Sequence, residues 1–495
     1  MANASAPSAR VENWNRINWR KVEAHVYHMQ MRIAKSIRQG RWGKAKALQH
    51  LLSRSKCAKL LAVKKIISNK GSRTAGIDGV KWKGAKALWQ AAVNLRFNGY
   101  KAQPLRRIYI PKKNGKLRPL GIPTLHDRAM QMLFALGLKP IAETVSDKNS
   151  YGFREKRSLH DAIQMGFIVL GFKNSAQWIL EADIKACFDR ISHEWLLTNI
   201  PLPKAVLRQW LKSGFMESGA LYSTDEGTPQ GGVISPILCN MTLDGLEDLV
   251  RPTRRGTGQK RNIIRYADDF IITGVTPEIL KAEIRPKVEA FLKERGLELS
   301  EEKTKLSHID EGFNFLGFSI KKYGGKLLIK PEDGKIRGLL DKVREFVKEY
   351  RGIPFHVMLL KLNRIVRGWA YAYRKVVSKE RMGYIDEQLY WLVRKWLQRE
   401  HRSKTWAWIA KKYYKRLKTR LEFCSVYVTK SGCKLVKLFR ASDLPIRYHT
   451  MVRREANSYD PANHEYFEAR ESKRRFDWLK DRVKMNSTLS PLQAL

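Results

Sequence analysis

The chain has 495 residues, enough for about three or four structural units, because single cores rarely grow beyond roughly 250–300 residues. Lys and Arg number 95 against 47 Asp and Glu, a formal net charge of +48, so the molecule repels itself unless a polyanion neutralises it, and nucleic acid is the expected counterion. No apolar run approaches the ~20 residues of a spanning helix, and Met1 to Arg10 lack the apolar core of a secretory signal; these features argue against a membrane role and for a cytoplasmic protein with a disordered lead.

From Ala24 to Leu61, Val26, Met29, Ile33 and Ile37 are spaced by threes and fours among basic residues, and Leu48, Leu51 and Leu52 continue the pattern. This spacing predicts a basic helical N-terminal extension over residues 1–75. Ser72 to Gly79 is a glycine-rich polar loop that opens the next unit. Leu105 to Ile110 and the run from Leu117 flank an Asn114-Gly115 turn, a β-hairpin signal. Lys116 and Arg118, two residues apart, share one face of its second strand. Between 125 and 330 helical stretches alternate with short strands, a mixed α/β core. Beyond 330 three amphipathic helices are expected: Leu339, Val343, Phe346 and Tyr350; Leu359, Leu362, Val366, Trp369 and Tyr373; and Ile385, Leu389, Leu392 and Trp396. Trp406 to Tyr414 interleaves aromatic and basic residues, and Arg453 to Arg482 is charged and without an apolar run long enough for a core. The five cysteines are scattered without the spacing of a zinc ligand pair and are expected as free thiols.

The chemistry concentrates in two acidic segments. In Asn262-Ile-Ile-Arg-Tyr-Ala-Asp-Asp-Phe-Ile-Ile-Thr273 two β-compatible runs flank an Ala-Asp-Asp tip, a hairpin presenting adjacent carboxylates. Phosphoryl transfer by two Mg²⁺ ions about 3.5–4 Å apart needs such oxygen ligands. Alone, the tip reads equally as an ordinary polar hairpin. Asp183, following the apolar strand Trp178-Ile-Leu180, offers a second source of carboxylate, with Phe188 five residues on and Asp189 beyond it.

These segments resemble the palm motifs of reverse transcriptases, Tyr266-Ala-Asp-Asp269 being the signature tetrapeptide. The resemblance implies an α+β right-hand polymerase fold, with fingers and palm over 76–328, a helical thumb over 329–405 and a small basic nucleic-acid-binding region over 406–495. It implies RNA-directed DNA synthesis at two Mg²⁺ ions, with Mn²⁺ as an alternative, held by Asp183, Asp268, Asp269 and the carbonyl of Ile184. Phe188 would lie against the sugar of the incoming nucleotide and exclude a 2′-OH, while Asp189 would be structural. In Gly227-Thr-Pro-Gln-Gly-Gly-Val-Ile-Ser-Pro236, Gln230 and Gly231 would approach nucleotide and template, and Lys116 and Arg118 would hold the triphosphate. Lys303 would protonate the leaving pyrophosphate, with a plain surface lysine an equal reading. Phe315, Leu316 and Gly317 would form the primer grip, although each Phe taken singly reads equally as core.

Beyond the palm, the basic N-terminal helices, Ser150-Tyr-Gly-Phe-Arg154 and Gly368-Trp-Ala-Tyr-Ala-Tyr373 resemble group II intron-encoded proteins, the last segment their maturase domain. The expected partners are an RNA template with DNA primer, dNTPs, target DNA and structured RNA of a group II intron, in a bacterial cytoplasm and beside the nucleoid when on DNA. Many relatives continue past a segment like Tyr466 to Arg475 into a His-Asn-His nuclease domain, whereas this sequence runs about twenty residues further, so that domain is expected to be absent. A free-standing relative used in DNA repair or phage defence, and a non-enzymatic RNA-splicing factor, remain as alternatives.

Overall fold

A computed structural model describes residues 14–111, 115, 117–217, 219–228, 231–251, 260–417, 419–429 and 432–486. The tip of the expected hairpin, the nucleotide-binding candidates Lys116 and Gln230, and the expected disordered lead lie outside the described residues. The described residues fall into two units, one drawn from Met1–Ala162, Leu180–Lys305 and Val452–Phe467, the other from Ile163–Ile179, Leu306–Met451 and Glu468–Leu495.

In the first unit the three-and-four spacing of the N-terminal extension becomes α1 (Trp19–Arg38), α2 (Trp42–Arg54) and α3 (Lys56–Ile67). Val26, Ile33, Leu48, Leu52 and Leu61 turn inward and their basic faces turn out. After α4 (Gly84–Asn94), strands β1 (Leu105–Pro111) and β2 (Leu117–Ile122) pair antiparallel with Ile110 opposite Arg118. The first three helices pack on α5 (Leu125–Val145), which is buried along nearly its whole length. Its polar side chains are buried too, and each is satisfied. Asp127 accepts from the Tyr100 hydroxyl at 2.6 Å, and the Arg128 guanidinium donates to the carbonyls of Pro123, Gly71 and Thr74, each at 2.8 Å, pinning the glycine-rich loop before β1.

The chain continues through α6 (Leu159–Leu170), β3 (Trp178–Asp183), α7 (Cys187–Arg190), α8 (His193–Asn199), α9 (Lys204–Leu211), β4 (Phe215–Glu217) and β5 (Ala220–Tyr222). Strand β4 pairs parallel with β1, so the hairpin extends into a sheet of order β2-β1-β4-β5. Helices α10 (Ser235–Leu243) and α11 (Leu246–Val250) lead to β6 (Asn262–Tyr266) and β7 (Asp269–Gly274), which lie beside β3 in the order β6-β7-β3, and α12 (Arg285–Lys293) follows. Residues Val452–Phe467 return to this same unit. They bury a small apolar cluster of Val452, Ala456 and Phe467 and are tied to the unit by polar contacts as well. Tyr459 donates to Glu155 at 2.8 Å, Tyr27 donates to the Ser458 carbonyl at 2.9 Å, and Val452 N–H donates to Asp161 at 2.8 Å.

In the second unit, β8 (Lys305–His308) precedes the antiparallel sheet of β9 (Phe313–Phe315), β10 (Phe318–Tyr323) and β11 (Lys326–Pro331). Three amphipathic helices follow, α13 (Asp333–Glu349), α14 (Phe355–Tyr373) and α15 (Lys379–Glu400), with the expected Leu339, Val343, Leu359, Leu362, Val366, Ile385 and Leu389 buried between them. Trp369 and Tyr373 pack ring to ring at 4.6 Å, and Tyr373 is in the core. The core does not stop at the end of α15. Ile409 of α16 (Trp406–Tyr413) and Phe423, Val436 and Leu438 join it, so β12 (Tyr414–Leu417), β13 (Arg420–Thr429) and β14 (Gly432–Lys437) form a sheet on the helices. Helix α17 (His464–Asn486) closes the described chain. Among the described residues no helix is long and apolar enough to cross a membrane.

Candidate active site

Strand β3 buries Ile179, Leu180 and Ala182 and ends on Asp183, whose carboxyl is left at the sheet's end. The main chain there is fixed from the side: Ser300 N–H donates to the Asp183 carbonyl at 2.8 Å, Lys185 N–H donates to the Glu298 carbonyl at 3.0 Å, and buried Ile184 bridges Leu299. The second acidic segment forms the expected hairpin. Tyr266 pairs with Asp269, leaving Ala267 and Asp268 as a two-residue tip. Ala267 sits at φ +59°, a left-handed conformation that costs a non-glycine residue about 1–3 kcal/mol and persists only where the surroundings enforce it.

Those surroundings are the segment 149–154. Tyr151 N–H donates to the Arg265 carbonyl and Arg265 N–H to the Asn149 carbonyl, both at 2.9 Å, which lays the segment along β6. Gly152 then backs the tip so closely that a Cβ there would stand 2.4 Å from Ala267 N, a position only glycine fills. Arg265, 1% exposed, donates to Asp244 at 2.5 Å, and Arg154 donates to Glu143 at 2.7 and 2.9 Å. Glu247 accepts from Asn149 N–H at 2.9 Å, from Arg251 at 2.5 Å and from Arg454 of the returning segment at 3.2 Å.

Around the carboxylates stand several of the sequence candidates. Lys303 Nζ contacts Asp183 Oδ2. That hydrogen bond, with the nearby charges of Asp183, Asp269 and Asp268, raises the ammonium pKa against desolvation. Desolvation and the charge of Asp183 hold Asp268 above the ordinary carboxylate range, with Arg118 and Lys303 opposing. Asp269 is pushed up to about 6 by desolvation and by the charges of Asp268 and Asp183. All three acids therefore share one electrostatic field with Lys303 in it, and the positive charge of Arg118 is felt at Asp268. Half-buried Phe188 packs edge-on against Phe153 at 6.4 Å and accepts through its carbonyl from Thr228 N–H at 2.6 Å. Gly231, at φ +112°, would bring a Cβ to 2.6 Å from the Gly121 carbonyl of β2, so the loop's backbone lies directly on that strand. Phe315, Leu316 and Gly317 lie in the second unit, where Leu316 (φ +52°) and Gly317 (φ +84°) form the tight turn of the β9–β10 hairpin, with both rings of Phe313 and Phe315 buried.

Comparison with known families identifies the chain's relatives. Residues 110–320 match the family described as reverse transcriptase (RNA-dependent DNA polymerase), 14–95 match the N-terminal domain of reverse transcriptase, and 336–414 match the group II intron maturase-specific domain. The chain is 35% identical over 305 residues to protein YkfC of Escherichia coli strain K12, covering 51% of this chain and 77% of that one. It is also 31% identical over 367 residues to the group II intron-encoded protein LtrA of Lactococcus lactis subsp. cremoris, covering 58% of this chain and 60% of LtrA. The chain belongs to the group II intron-encoded reverse transcriptases. A solved telomerase of Candida albicans, in complex with a fragment of telomeric RNA, aligns at a TM-score of 0.36 and 13% identity over 63% of this chain and 61% of that one.

In this reverse transcriptase the sequence points to the candidate acids but not to the groups that hold their hairpin. Arg265 and Gly152 both lie in motifs quoted for the resemblance, and neither identity announces a partner. The available signal was the arginine inside an otherwise apolar strand, Asn262-Ile-Ile-Arg265, where a buried charge demands an acid nearby. Among the described residues no group of three or more His, Cys, Asp or Glu side chains is placed so as to hold a metal ion. That is compatible with Mg²⁺, which takes one or two carboxylates and leaves the rest of its shell to phosphates and water. The donors fit in kind: they are hard oxygens, and desolvation, with the neighbouring carboxylate charges, raises the proton affinity of Asp268 and Asp269, a cost a divalent cation relieves.

Proposed function

We infer that this reverse transcriptase adds dNTPs to a primer 3′-OH on an RNA template, with Asp183, Asp268 and Asp269 holding two Mg²⁺ ions. The observation that carries the reading is the shared field of the three carboxylates with Lys303 against one of them. Bound there, the divalent ions would acidify the primer hydroxyl and neutralise charge on the triphosphate. The chain's own part follows from its side chains. Asp183 and Asp268 orient the reacting ends, with the Ile184 carbonyl as a further ligand. Arg118, with Lys116, grips the triphosphate, and the backbone at Gly231 with Gln230 borders the nucleotide. As the primer hydroxyl releases its proton to solvent, the 3′-oxygen bonds to the α-phosphorus and the bond to the bridging oxygen breaks; Lys303, held protonated by its raised pKa, gives a proton to the departing pyrophosphate. The β9–β10 turn, Phe315 to Gly317, is the primer-gripping element.

Phe188 is the sugar gate in this reading, its ring braced by Phe153. Phe188→Ala is expected to lower the preference for dATP over ATP by about 10–200-fold, the worth of a few apolar contacts, as measured by single-nucleotide incorporation; an unchanged ratio would remove Phe188 from the pocket. A second expectation concerns pH. Asp269 has its pKa raised to about 6, so protons compete with the metal below that value. The Mg²⁺ concentration for half-maximal extension should rise about fourfold from pH 7.5 to pH 5.5. A flat requirement would place Asp269 outside the metal shell.

The thumb surface supports a second partner, structured intron RNA. The Arg394 guanidinium lies 4.3 Å from the Trp406 ring and 5.2 Å from that of Trp391, and Lys412 Nζ lies 4.9 Å from the Trp408 ring. Cations stacked on accessible indoles serve both phosphates and bases. Splicing of a parent intron and use of target DNA follow from this reading, as does a cytoplasmic site of action.

A further inference from the structure

Helix α2 has two working faces. Ala45, Leu48 and Leu52 pack inward, while Trp42, Lys46, Gln49 and Ser53, three or four residues apart, line a cleft of about 540 Å³. The floor of the cleft is Leu133, Phe134 and Gly137 of α5, and its far wall is residues 197–204, the end of α8, the loop after it and the first residue of α9. Gln49 Nε2 donates to the Gly137 carbonyl at 3.3 Å, and Pro201 and Pro203 stiffen the loop, so the walls are set before any ligand arrives. Lys46, His50 and Lys204 stand on the lining, and no Asp or Glu is among the described residues there. Trp42, 44% exposed, has no role in the core that would explain it.

We propose that this cleft captures one nucleotide of an unpaired nucleic-acid strand, stacking its base on Trp42 and holding its phosphate with Lys46 and Lys204. The chemistry selects that occupant. An indole beside an apolar floor suits a base, the amides of Gln49 and Asn199 suit its polar edge, and cations without a facing acid suit phosphate but repel a basic peptide. The volume lies within the range of small-ligand sites, room for one nucleotide and too little for a duplex. The proposal rests on the nucleic-acid-binding reading above, but not on the three aspartates.

The test is photo-crosslinking of the full chain to a single-stranded RNA carrying 4-thiouridine, with a 4-thiothymidine DNA strand in parallel, followed by peptide mapping. Crosslinks are expected within Trp42–Arg54 or residues 197–204, resistant to blunt-duplex competitor; the stronger of the two strands names the source. Trp42→Ala should weaken strand binding about 5-fold or more, as loss of one stacked base does, and Trp42→Phe should restore most of it. Crosslinks that avoid both segments, or a Trp42→Ala protein that binds like wild type, would overturn the proposal. The Asp268→Ala/Asp269→Ala protein should crosslink as wild type does. If that double variant still polymerises, the active-site assignment fails while the cleft stands.

Discussion

Replacing Asp268 and Asp269 together by alanine is expected to abolish primer extension on poly(rA)/oligo(dT), a loss of at least about 10³-fold, while leaving RNA affinity largely intact. Both residues sit at the β6–β7 tip, where truncation removes charge without opening the core. The metal-free double variant should also be more heat-stable than wild type. Raised pKa values on Asp268 and Asp269 mean that, once ionised, they oppose folding, and the opposition appears as pH rises from their unfolded values through the folded ones, to about 6 for Asp269. At pH 7.5 in chelator the variant escapes that cost; with Mg²⁺ present wild type should regain the difference. Retained synthesis would refute the site, and an equal thermal midpoint in chelator would refute the like-charge crowding.

Arg265→Ala is expected to be the most damaging single change away from the carboxylates. The guanidinium is buried and donates to Asp244, itself buried and close to Asp147. Removing one partner of such a pair costs about 3–5 kcal/mol, because the other charge is left without compensation. Desolvation and Asp147 already push Asp244 up to about 6 against the pull of Arg265. In the variant its pKa climbs further, so stability should fall as pH rises from the unfolded value of 3.8 through the raised folded one, and be greater at pH 5 than at pH 8. Urea unfolding at both pH values reads this directly, and polymerase activity should fall with it because β6 carries the tip proposed above as catalytic. A variant as stable as wild type at pH 8 would show that the pair does not brace the hairpin.

The elements that sequence alone makes legible are those whose signal is local. β-Compatible apolar runs on both sides of Ala267-Asp268 and the three-and-four spacing around Val343, Val366 and Leu389 are such signals, and they fold as read. What resists reading depends on partners far along the chain. Strand β13 runs Leu-Glu-Phe-Cys-Ser-Val-Tyr-Val-Thr, β-compatible in itself, but its neighbouring basic residues mask its seat on the thumb core through Phe423. The segment 452–467 looks coreless because its apolar cluster is small and its polar anchorage lies some 300 residues away: Arg157 donates to the carbonyls of Arg454 and Ala456, and Tyr459 donates to Glu155. Likewise nothing next to Gly152 says that its missing Cβ makes room for the strained Ala267. The candidate acids are legible because the proposed chemistry would fix their identity, whereas their scaffold requires only that buried groups find partners somewhere.

The most direct measurement is anomalous diffraction from crystals of the full chain with primer, RNA template, a non-hydrolysable dNTP and Mn²⁺. Two peaks about 3.5–4 Å apart are expected, with Asp183 and Asp268 each contributing an oxygen and Asp269 completing the protein ligands. Peaks that leave Asp183 uncoordinated, or a cation held elsewhere while these carboxylates stay with Lys303, would contradict the shared metal site.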